Sequence, residues 1–280
     1  MKLFKTIEET TSYISLQKGN GQSVGFVPTM GALHEGHLAL MRRALKENEL
    51  LVVSVFVNPK QFDNPEDLEK YPRDLDKDMR LLEKVGCDVL FAPEVTEMYP
   101  EQETISYDFG QLETVMEGAS RKGHFNGVAV VVRKLFDIVV PDRAYFGEKD
   151  FQQLAIIKQL VKQTNQEVAI VPCPIVRETD GLAMSSRNER LTVEERALAP
   201  FIYQTLQQAR DKVTDLQPAQ IKDWVIGEFK KEKAFTLDYF EIAEDTFLQP
   251  VDSWEEGRGT MGFIAVFLGK VRLIDNIRFI

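Results

Sequence analysis

Over the first 176 residues, the pattern of apolar and polar positions alternates between two types of segment. Short aliphatic runs, which predict strands, alternate with stretches whose apolar residues recur every three or four positions, which predict helices. The predicted strands are residues 23–29, 50–57, 88–92, 144–147 and 168–176. The predicted helices are residues 35–49, 74–85, 128–139 and 151–163. This alternation is typical of an α/β fold with a Rossmann-like, doubly wound parallel sheet.

The valine-rich stretch 128–139 has the composition of a strand but the period of a helix. Val131, Val132 and Leu135 fall on the same helical face as Val128, and Phe136 and Val139 continue that face. Because periodicity is a stronger signal than β-branched composition, we predict a helix here.

The pattern changes after residue 176. Thr192 and Glu195 have the spacing of a capping box, which predicts a helix running to about residue 212. A second helix is predicted at 218–230, and two strand-like stretches follow at 236–243 and 263–274. Helices followed by strands predict a smaller α+β domain. We therefore predict two domains, 1–176 and 177–280.

Composition narrows the functional classes. The chain has 280 residues, enough for two domains of ordinary size, and a net charge of −10, which argues against a general nucleic-acid binder. No apolar stretch approaches the roughly 20 residues that span a bilayer, and the N-terminus lacks the apolar core of a secretory signal. Cys87 and Cys173 are too few for a disulfide framework and are expected to be buried thiols. We expect a cytoplasmic protein that binds neither membrane nor nucleic acid.

The first candidate chemistry is a histidine pair in the turn after the first predicted strand. His34 and His37 share one helical face, and a helix start supplies N–H groups and partial positive charge that favour phosphate. Ligands of doubly wound sheets bind at this end of the strands. A zinc site is a poor alternative, because the HEGH spacing is one residue shorter than that of zinc proteases. We expect the pair to contact a phosphate under in-line attack.

Three further polar groups have candidate roles. Lys149 and Asp150 open a helix directly after a strand, where a lysine can neutralise phosphate and an aspartate can accept ribose hydroxyls. The amides of Gln61 and Gln153 suit a substrate with hydroxyls and a carboxylate. Residues 185–187 place two hydroxyls and a guanidinium in a row. Each group taken alone is better explained as part of a solvated helix or loop.

Several sequence blocks carry a family resemblance. His34-Glu-Gly-His37 resembles the His-x-Gly-His signature of the nucleotidyltransferase superfamily, which includes class I aminoacyl-tRNA synthetases. Residues 184–188 (MSSRN) resemble the KMSKS loop of those synthetases, although Ala183 replaces its first lysine. The blocks VPTMGALHEGH, FVNPKQF, EGASRKGHFNG, PDRAYFGEKDFQQ and MSSRN, taken in order, resemble the pantothenate synthetase (pantoate–β-alanine ligase) family.

The resemblance implies an ATP-dependent ligase of pantothenate and coenzyme A biosynthesis. It would condense (R)-pantoate with β-alanine through a pantoyl adenylate, releasing pyrophosphate and AMP. The implied catalytic residues are His37, His34 and Lys149, with His37 also a candidate proton donor. Gln61 and Gln153 would bind pantoate, with Gln61 also near β-alanine, whereas Arg121 and His124 have no assigned role. The implied ATP-binding residues are Met30, Gly31, Ala32, Leu33, His34, Glu35, Gly36, His37, Gly147, Glu148, Lys149, Asp150, Val176, Met184, Ser185, Ser186 and Arg187.

The resemblance also assigns roles to the two predicted domains, with 1–176 binding nucleotide and pantoate and 177–280 closing over the phosphates as a C-terminal lid. It further implies Mg²⁺ held through the ATP phosphates, no metal site on the protein, and a homodimer. Two alternatives stay open: another small-molecule nucleotidyltransferase of the same fold, and a nucleotide-binding regulator without activity. A tRNA synthetase is disfavoured by the acidic charge and by the lack of room for an anticodon-binding domain.

Overall fold

The computed structural model describes residues 1–63, 65–255 and 257–280. The chain divides into two compact units. The first unit consists of Met1–Gly110, Ser120–Glu148 and Gln153–Pro174; the second consists of Gln111–Ala119, Lys149–Gln152 and Ile175–Ile280. The sequence-based boundary at residue 176 assigns Gln111–Ala119 and Lys149–Gln152 to the first domain. That this boundary separates the two domains stays a prediction.

The first unit is built on a six-stranded sheet whose strands all run parallel. The strands are β1 (Lys2–Phe4), β2 (Val24–Thr29), β3 (Leu50–Val55), β4 (Val89–Phe91), β5 (Arg143–Gly147) and β6 (Ala169–Cys173). Their order in the sheet is β1-β4-β3-β2-β5-β6. The central strand β3 reads LLVVSV and is buried over nearly its whole length, as expected for a strand covered on both faces. The Rossmann-like fold predicted from the sequence is confirmed.

Helices lie between these strands along the chain. Up to residue 174 they are α1 (Ile7–Gly19), α2 (Glu35–Glu47), α3 (Pro65–Glu69), α4 (Leu75–Val85), α5 (Val95–Met98), α6 (Met116–Ser120), α7 (His124–Val139) and α8 (Phe151–Thr164). The valine-rich stretch lies in α7, so its helical prediction is confirmed, and most residues of α7 are buried. Within the described residues, no helix is both long and apolar enough to cross a membrane.

The pattern did not predict β1 and α1. The apolar residues of α1 do not form a clear stripe, so the periodicity that marks the other helices is weak there. A local signal was nevertheless present: the Thr6 hydroxyl accepts a hydrogen bond from the Glu9 N–H at 3.3 Å, which caps the helix.

The second unit contains a three-stranded antiparallel sheet with helices packed against it. The helices are α9 (Val193–Leu198), α10 (Phe201–Asp211) and α11 (Pro218–Lys231), and the strands, in sheet order, are β7 (Phe235–Glu244), β8 (Thr260–Leu268) and β9 (Val271–Arg278). Leu206 and Val225 from the helices and Phe240 and Ile264 from the sheet belong to one buried cluster. The α+β architecture predicted for this part is confirmed.

Three predicted boundaries in the chain were wrong. The helix expected from residue 192 to about 212 is interrupted between α9 and α10, because Pro200 has no N–H to continue the hydrogen-bond ladder. The strand-like stretch 263–274 is a hairpin: Leu268 pairs with Val271, and Gly269 turns the chain with a φ of 56°. Strand β6 ends at Cys173, before Pro174, and not at residue 176.

Both cysteines are buried thiols, as the sequence predicts. Burial raises the pKa of Cys87 to about 12, and it also raises the pKa of Cys173. Both thiols are therefore protonated at neutral pH, which makes them poor nucleophiles.

Candidate active site

The turn between β2 and α2 brings the two histidines of the HEGH motif together. Their ring centroids lie 4.1 Å apart. His34 is the N-cap of α2, and its Nδ1 accepts a hydrogen bond from the Gly36 N–H at 3.1 Å. The Nδ1 of His37 accepts from the His34 N–H at 3.3 Å. Because each Nδ1 is an acceptor, each imidazole is neutral and carries its hydrogen on Nε2.

The backbone N–H groups of this turn are largely used within the protein. Those of Ala32 and Leu33 donate to the Asp78 carboxylate, and that of Gly31 donates to the Thr29 hydroxyl. The His37 N–H donates to the His34 carbonyl oxygen. The sequence argument expected unpaired N–H groups here, but the N–H groups of Gly31, Ala32, Leu33 and His37 donate within the protein.

Glu35 begins α2 beside the histidines, and its carboxylate accepts a hydrogen bond from Arg42. Arg42 lowers the pKa of Glu35, so the carboxylate is ionised at neutral pH and its charge is balanced locally. This pairing reduces the repulsion that an unbalanced carboxylate would exert on an anionic ligand.

Gln61 lies in a 3-10 turn (Pro59–Gln61) of the first unit, and neighbours fix the orientation of its amide. Its Oε1 accepts a hydrogen bond from Asn58 Nδ2 at 3.2 Å, and its Nε2 lies 2.9 Å from the Met30 sulfur. Asn58 is itself held by the Tyr99 hydroxyl, which donates to its Oδ1 at 2.9 Å. The structure thus brings Gln61 to Met30, with its amide hydrogens directed toward the Met30 sulfur. Met30 is the first residue of the turn that contains the two histidines, residues 30–37, which we call the histidine turn.

The roles of Arg121 and His124 were left open by the sequence. In the structure both support the 3-10 turn that contains Gln61. His124 is buried, and its Nδ1 donates to the Gln61 carbonyl oxygen at 2.7 Å. Arg121 donates to His124 Nε2 at 3.1 Å and forms an ion pair with Asp63 at 3.6 Å. These contacts fix the backbone of Gln61, as the Asn58 contact fixes its side chain.

Gly127 allows α7 to approach this turn closely, and we predict that Gly127→Ala destabilises the protein. A Cβ at Gly127 would lie 2.1 Å from the Lys60 carbonyl oxygen and 2.8 Å from the Gln61 Cα, so the backbone must shift. We expect a loss of about 2 kcal/mol or more in the free energy of unfolding, measured with urea. The matched control is Gly227→Ala in α11, where an added Cβ meets nothing within 4 Å. That variant is expected to gain about 0.5–1 kcal/mol. Equal stability of the Gly127 variant and wild type would contradict the close approach.

The second unit holds Lys149 in a short 3-10 turn (Glu148–Asp150) that follows β5. The side chain of Lys149 is only 17% exposed, and its ammonium lies 4.0 Å from the Asp150 carboxylate. Asn276, a buried residue of β9, donates from Nδ2 to the Lys149 carbonyl oxygen at 3.0 Å. The backbone of Lys149 is therefore anchored to the sheet of the second unit.

Residues 176–190 form the second polar element of this unit. The Met184 N–H donates to the Val176 carbonyl oxygen at 2.9 Å, which closes a loop between them. Ser185 caps a 3-10 helix (Ser186–Arg190), since its hydroxyl accepts from the Arg187 N–H at 3.3 Å. Asn188 Nδ2 donates to the Ala183 carbonyl oxygen, while its Oδ1 is buried with no hydrogen-bond partner.

A small cleft in the second unit brings these elements together. Its polar lining residues are Lys149, Ser185, Arg187, Asn188, Arg272 and Asp275. Asp275 is buried, and its carboxylate accepts two hydrogen bonds from Arg177, at 2.7 and 2.9 Å. The cleft therefore carries the Lys149 ammonium and the Arg187 guanidinium, while its acidic residue is already neutralised.

The structure thus forms two groups of the predicted residues, each within its own unit. Met30–His37 and Gln61 lie together in the first unit, where Gly147 ends β5, Glu148 follows it and the half-buried Gln153 lies in the first turn of α8. Lys149, Ser185 and Arg187 line the cleft of the second unit, with Asp150, Val176 and Met184 on the adjoining segments.

Sequence reasoning missed the carboxylates that support both groups. Asp78 lies in α4 between Leu75 and Leu82, on the stripe where an apolar residue is expected. Asp275 lies in β9 in the inward row that includes Leu273 and Ile277. A charged residue within an apolar row was the available signal, because burying an ionised group is costly without specific partners.

Comparisons with known proteins agree over the whole chain. The family model described as pantoate-beta-alanine ligase matches residues 2–278. A pantothenate synthetase of Bacteroides thetaiotaomicron is 51% identical over 279 residues, covering 100% of this chain and 99% of the relative. The crystal structure of pantothenate synthetase from Thermus thermophilus matches with a TM-score of 0.93, 43% identity, and coverage of 100% and 99%. A pantoate-beta-alanine ligase of Francisella tularensis, complexed with beta-gamma ATP and beta-alanine, matches with a TM-score of 0.82, 36% identity, and coverage of 100% and 98%.

Proposed function

The chain belongs to the pantoate-β-alanine ligase family, and from this membership we propose the chemistry that each group of site residues performs. The activity is that of the family, an ATP-dependent ligase in pantothenate biosynthesis that joins pantoate to β-alanine. The observation that carries the residue-level proposal is the histidine turn, in which two neutral imidazoles have their donor hydrogens on Nε2.

In the first step, a carboxylate oxygen of pantoate attacks the α-phosphorus of ATP. The bond between the α-phosphorus and the bridging oxygen breaks, pyrophosphate leaves, and pantoyl adenylate forms. His34 and His37 donate hydrogen bonds from Nε2 to the phosphate oxygens on which negative charge increases, and as neutral imidazoles they keep these protons. Donors aimed at developing charge stabilise the transition state more than the ground state.

Gln61 and Gln153 bind pantoate in this proposal. The Asn58 contact turns the Gln61 amide so that its hydrogens, rather than its oxygen, are directed to the side of Met30. These hydrogens suit the carboxylate and hydroxyl oxygens of pantoate. Asn58, Arg121 and His124 act through Gln61 and are positioning residues. Once the adenylate has formed, the β-alanine amine attacks its acyl carbon, the bond to AMP breaks, and the nitrogen loses a proton as pantothenate forms.

Lys149 and Arg187 in the second unit bind phosphate oxygens of ATP. Their charges line a cleft whose acidic residue, Asp275, is already paired with Arg177, so an anion entering it meets net positive charge. Ser185 and Ser186 add hydroxyls, and Asp150 accepts hydrogen bonds from ribose. The cleft geometry supports a phosphate subsite in this unit.

Mg²⁺ enters with ATP in this proposal. Among the described residues, no group of three or more His, Cys, Asp or Glu side chains is arranged to hold a metal ion, and both Asp78 oxygens already accept backbone N–H groups. The family resemblance implies a cation held by phosphate oxygens and water, and the occupied Asp78 oxygens are consistent with that arrangement. When bound, Mg²⁺ neutralises phosphate charge.

We include a homodimer and a cytoplasmic location in the proposal. The family resemblance supports the homodimer, and two buried, unpaired thiols are usual in a reducing compartment. Sedimentation equilibrium of the purified chain tests the dimer, and a monomer at micromolar concentration would refute it.

The first experiment is AMP release from Mg-ATP with pantoate, β-alanine or both. We expect sustained AMP production only with both acids, because the adenylate forms from pantoate and is discharged by the amine. Pyrophosphate exchange with pantoate, without AMP release on adding β-alanine, would contradict the assignment of β-alanine as the acceptor of the pantoyl group. Formation of a stable nucleotidyl product without AMP would favour another nucleotidyltransferase, and ATP binding without either reaction would favour a regulator.

A further inference from the structure

Asp78 is a buried carboxylate with no part in the chemistry proposed above. Asp78 is only 1% exposed. It lies in α4, on the stripe of apolar residues that packs toward the core. Burial raises the pKa of Asp78, because removing the charged carboxylate from water costs free energy. Burying the charge does not by itself stabilise the fold. A buried ionisable group of this kind persists where the surrounding structure uses it.

Both carboxylate oxygens of Asp78 bind the histidine turn. Oδ2 accepts from the Ala32 N–H at 3.0 Å, and Oδ1 accepts from the Leu33 N–H at 2.8 Å. Each oxygen serves one N–H group, so the arrangement needs two acceptors at fixed separation. A carboxylate provides them, whereas a carboxamide of the same size provides only one.

The turn that Asp78 holds has an unfavourable backbone conformation. Gly31 has a φ of 80° and Ala32 a φ of 50°, so two successive residues lie in the left-handed region. Ala32 has a Cβ and is strained there, which means that the surrounding contacts must maintain its conformation. Glycine is also required at position 31 by the carboxylate itself, because a Cβ there would lie 2.8 Å from Asp78 Oδ2.

The conformation of residues 31–33 determines where both imidazoles lie. Leu33 is followed directly by His34, which caps α2 and whose N–H donates to His37 Nδ1. A displacement of the turn therefore moves His34 through the backbone and His37 through that hydrogen bond. The contact between Asp78 and the turn joins α4 to this pair across 45 residues of sequence.

We propose that Asp78 is a positioning residue for adenylate formation, which holds residues 31–33 so that the Nε2 hydrogens of His34 and His37 meet the reacting phosphate. The inference rests on the proposed function. Asp78 does not touch the substrate and acts only through the turn. Its removal should therefore lower the rate of the adenylation step while leaving the binding of pantoate by Gln61 nearly unchanged.

The test measures pantoate-dependent exchange of pyrophosphate into ATP for wild type, Asp78→Asn and Asp74→Ala. Displacing catalytic groups by about 1 Å costs on the order of 10²-fold in rate, so we expect Asp78→Asn to lower the exchange kcat by about 10- to 100-fold. The KM for pantoate should change by less than about threefold, a split that general loss of structure would not produce.

Asp74→Ala is the matched control in the same helix. Asp74 caps α4 by accepting the Lys77 N–H at 2.9 Å, so this change weakens the helix without touching the turn. We expect its exchange kcat to stay within about twofold of wild type. Gly31→Ala disturbs the same contact from the other side and should reproduce the kinetics of Asp78→Asn, which keeps the test decisive if that variant does not fold.

Equal kcat in Asp78→Asn and Asp74→Ala would overturn the role of Asp78, as would a change confined to the KM for pantoate. Absence of exchange in the wild-type enzyme would instead refute the proposed function. Exchange by wild type with an unaltered rate in Asp78→Asn refutes only the positioning role, so the two failures are distinguishable.

Discussion

His34→Asn is expected to lower the rate of pantoyl adenylate formation by roughly 10²-fold while leaving the protein folded. The Oδ1 of asparagine can accept the Gly36 N–H in place of the imidazole Nδ1, so the cap of α2 is kept. Asparagine is too short to place a donor where Nε2 lies. The variant therefore removes one hydrogen-bond donor to the phosphate, and losing such a donor typically costs 10²- to 10³-fold in rate. The rate of adenylate formation is measured by pyrophosphate exchange at saturating ATP and pantoate.

His34→Ala serves as the comparison, because it removes both the cap and the donor. We expect the same loss of rate together with a free energy of unfolding lower by about 1 kcal/mol, the usual effect of losing an N-cap. If His34→Asn turned over at close to the wild-type rate and only His34→Ala were impaired, the histidine would be a structural cap and the assigned chemistry would be wrong.

The order of elements could be predicted because it depends on local pattern. Runs such as LLVVSV indicate a strand covered on both faces, and the spacing of Val128, Val131 and Val132 indicates a helix whatever its partners. The errors arose where one residue overrides the pattern. Pro200 interrupts a helix that its flanking residues would continue, and Gly269 turns a stretch that is mostly apolar on both sides.

The chemistry of the site could be predicted where it lies in contiguous sequence, as in the HEGH turn, and not where it depends on distant partners. The hydrophobic pattern shows that Asp78 faces inward but does not show that it meets the N–H groups of Ala32 and Leu33. Arg177 and Asp275 are 98 residues apart, and nothing local in either segment indicates the other. Hydrogen-bond donors at the start of α2 were expected to be available to a ligand, but the N–H groups of Gly36, His37 and Leu38 donate to His34.

Lys149→Met is expected to lower the overall rate of pantothenate formation by roughly 10²-fold. Methionine nearly matches the shape of lysine but has no charge, so the variant tests the ammonium rather than the packing of a side chain that is only 17% exposed. A positive charge fixed beside phosphate oxygens stabilises the charge that moves onto the leaving pyrophosphate. The loss should appear mainly in kcat, because charge on the leaving group increases toward the transition state.

Lys158→Met in the same segment of chain is the matched control for the loss of one positive charge. Lys158 is exposed on α8, and its replacement lowers the net charge equally without altering the cleft that Lys149 lines. We expect its rate to stay within about twofold of wild type. Lys149→Arg keeps the charge but offers a planar guanidinium in place of a compact ammonium, so partial recovery relative to Lys149→Met is expected. Equal rates for Lys149→Met and Lys158→Met would show that Lys149 contributes only long-range charge. A higher rate in Lys149→Arg than in Lys149→Met would instead support a cation beside the phosphate at position 149.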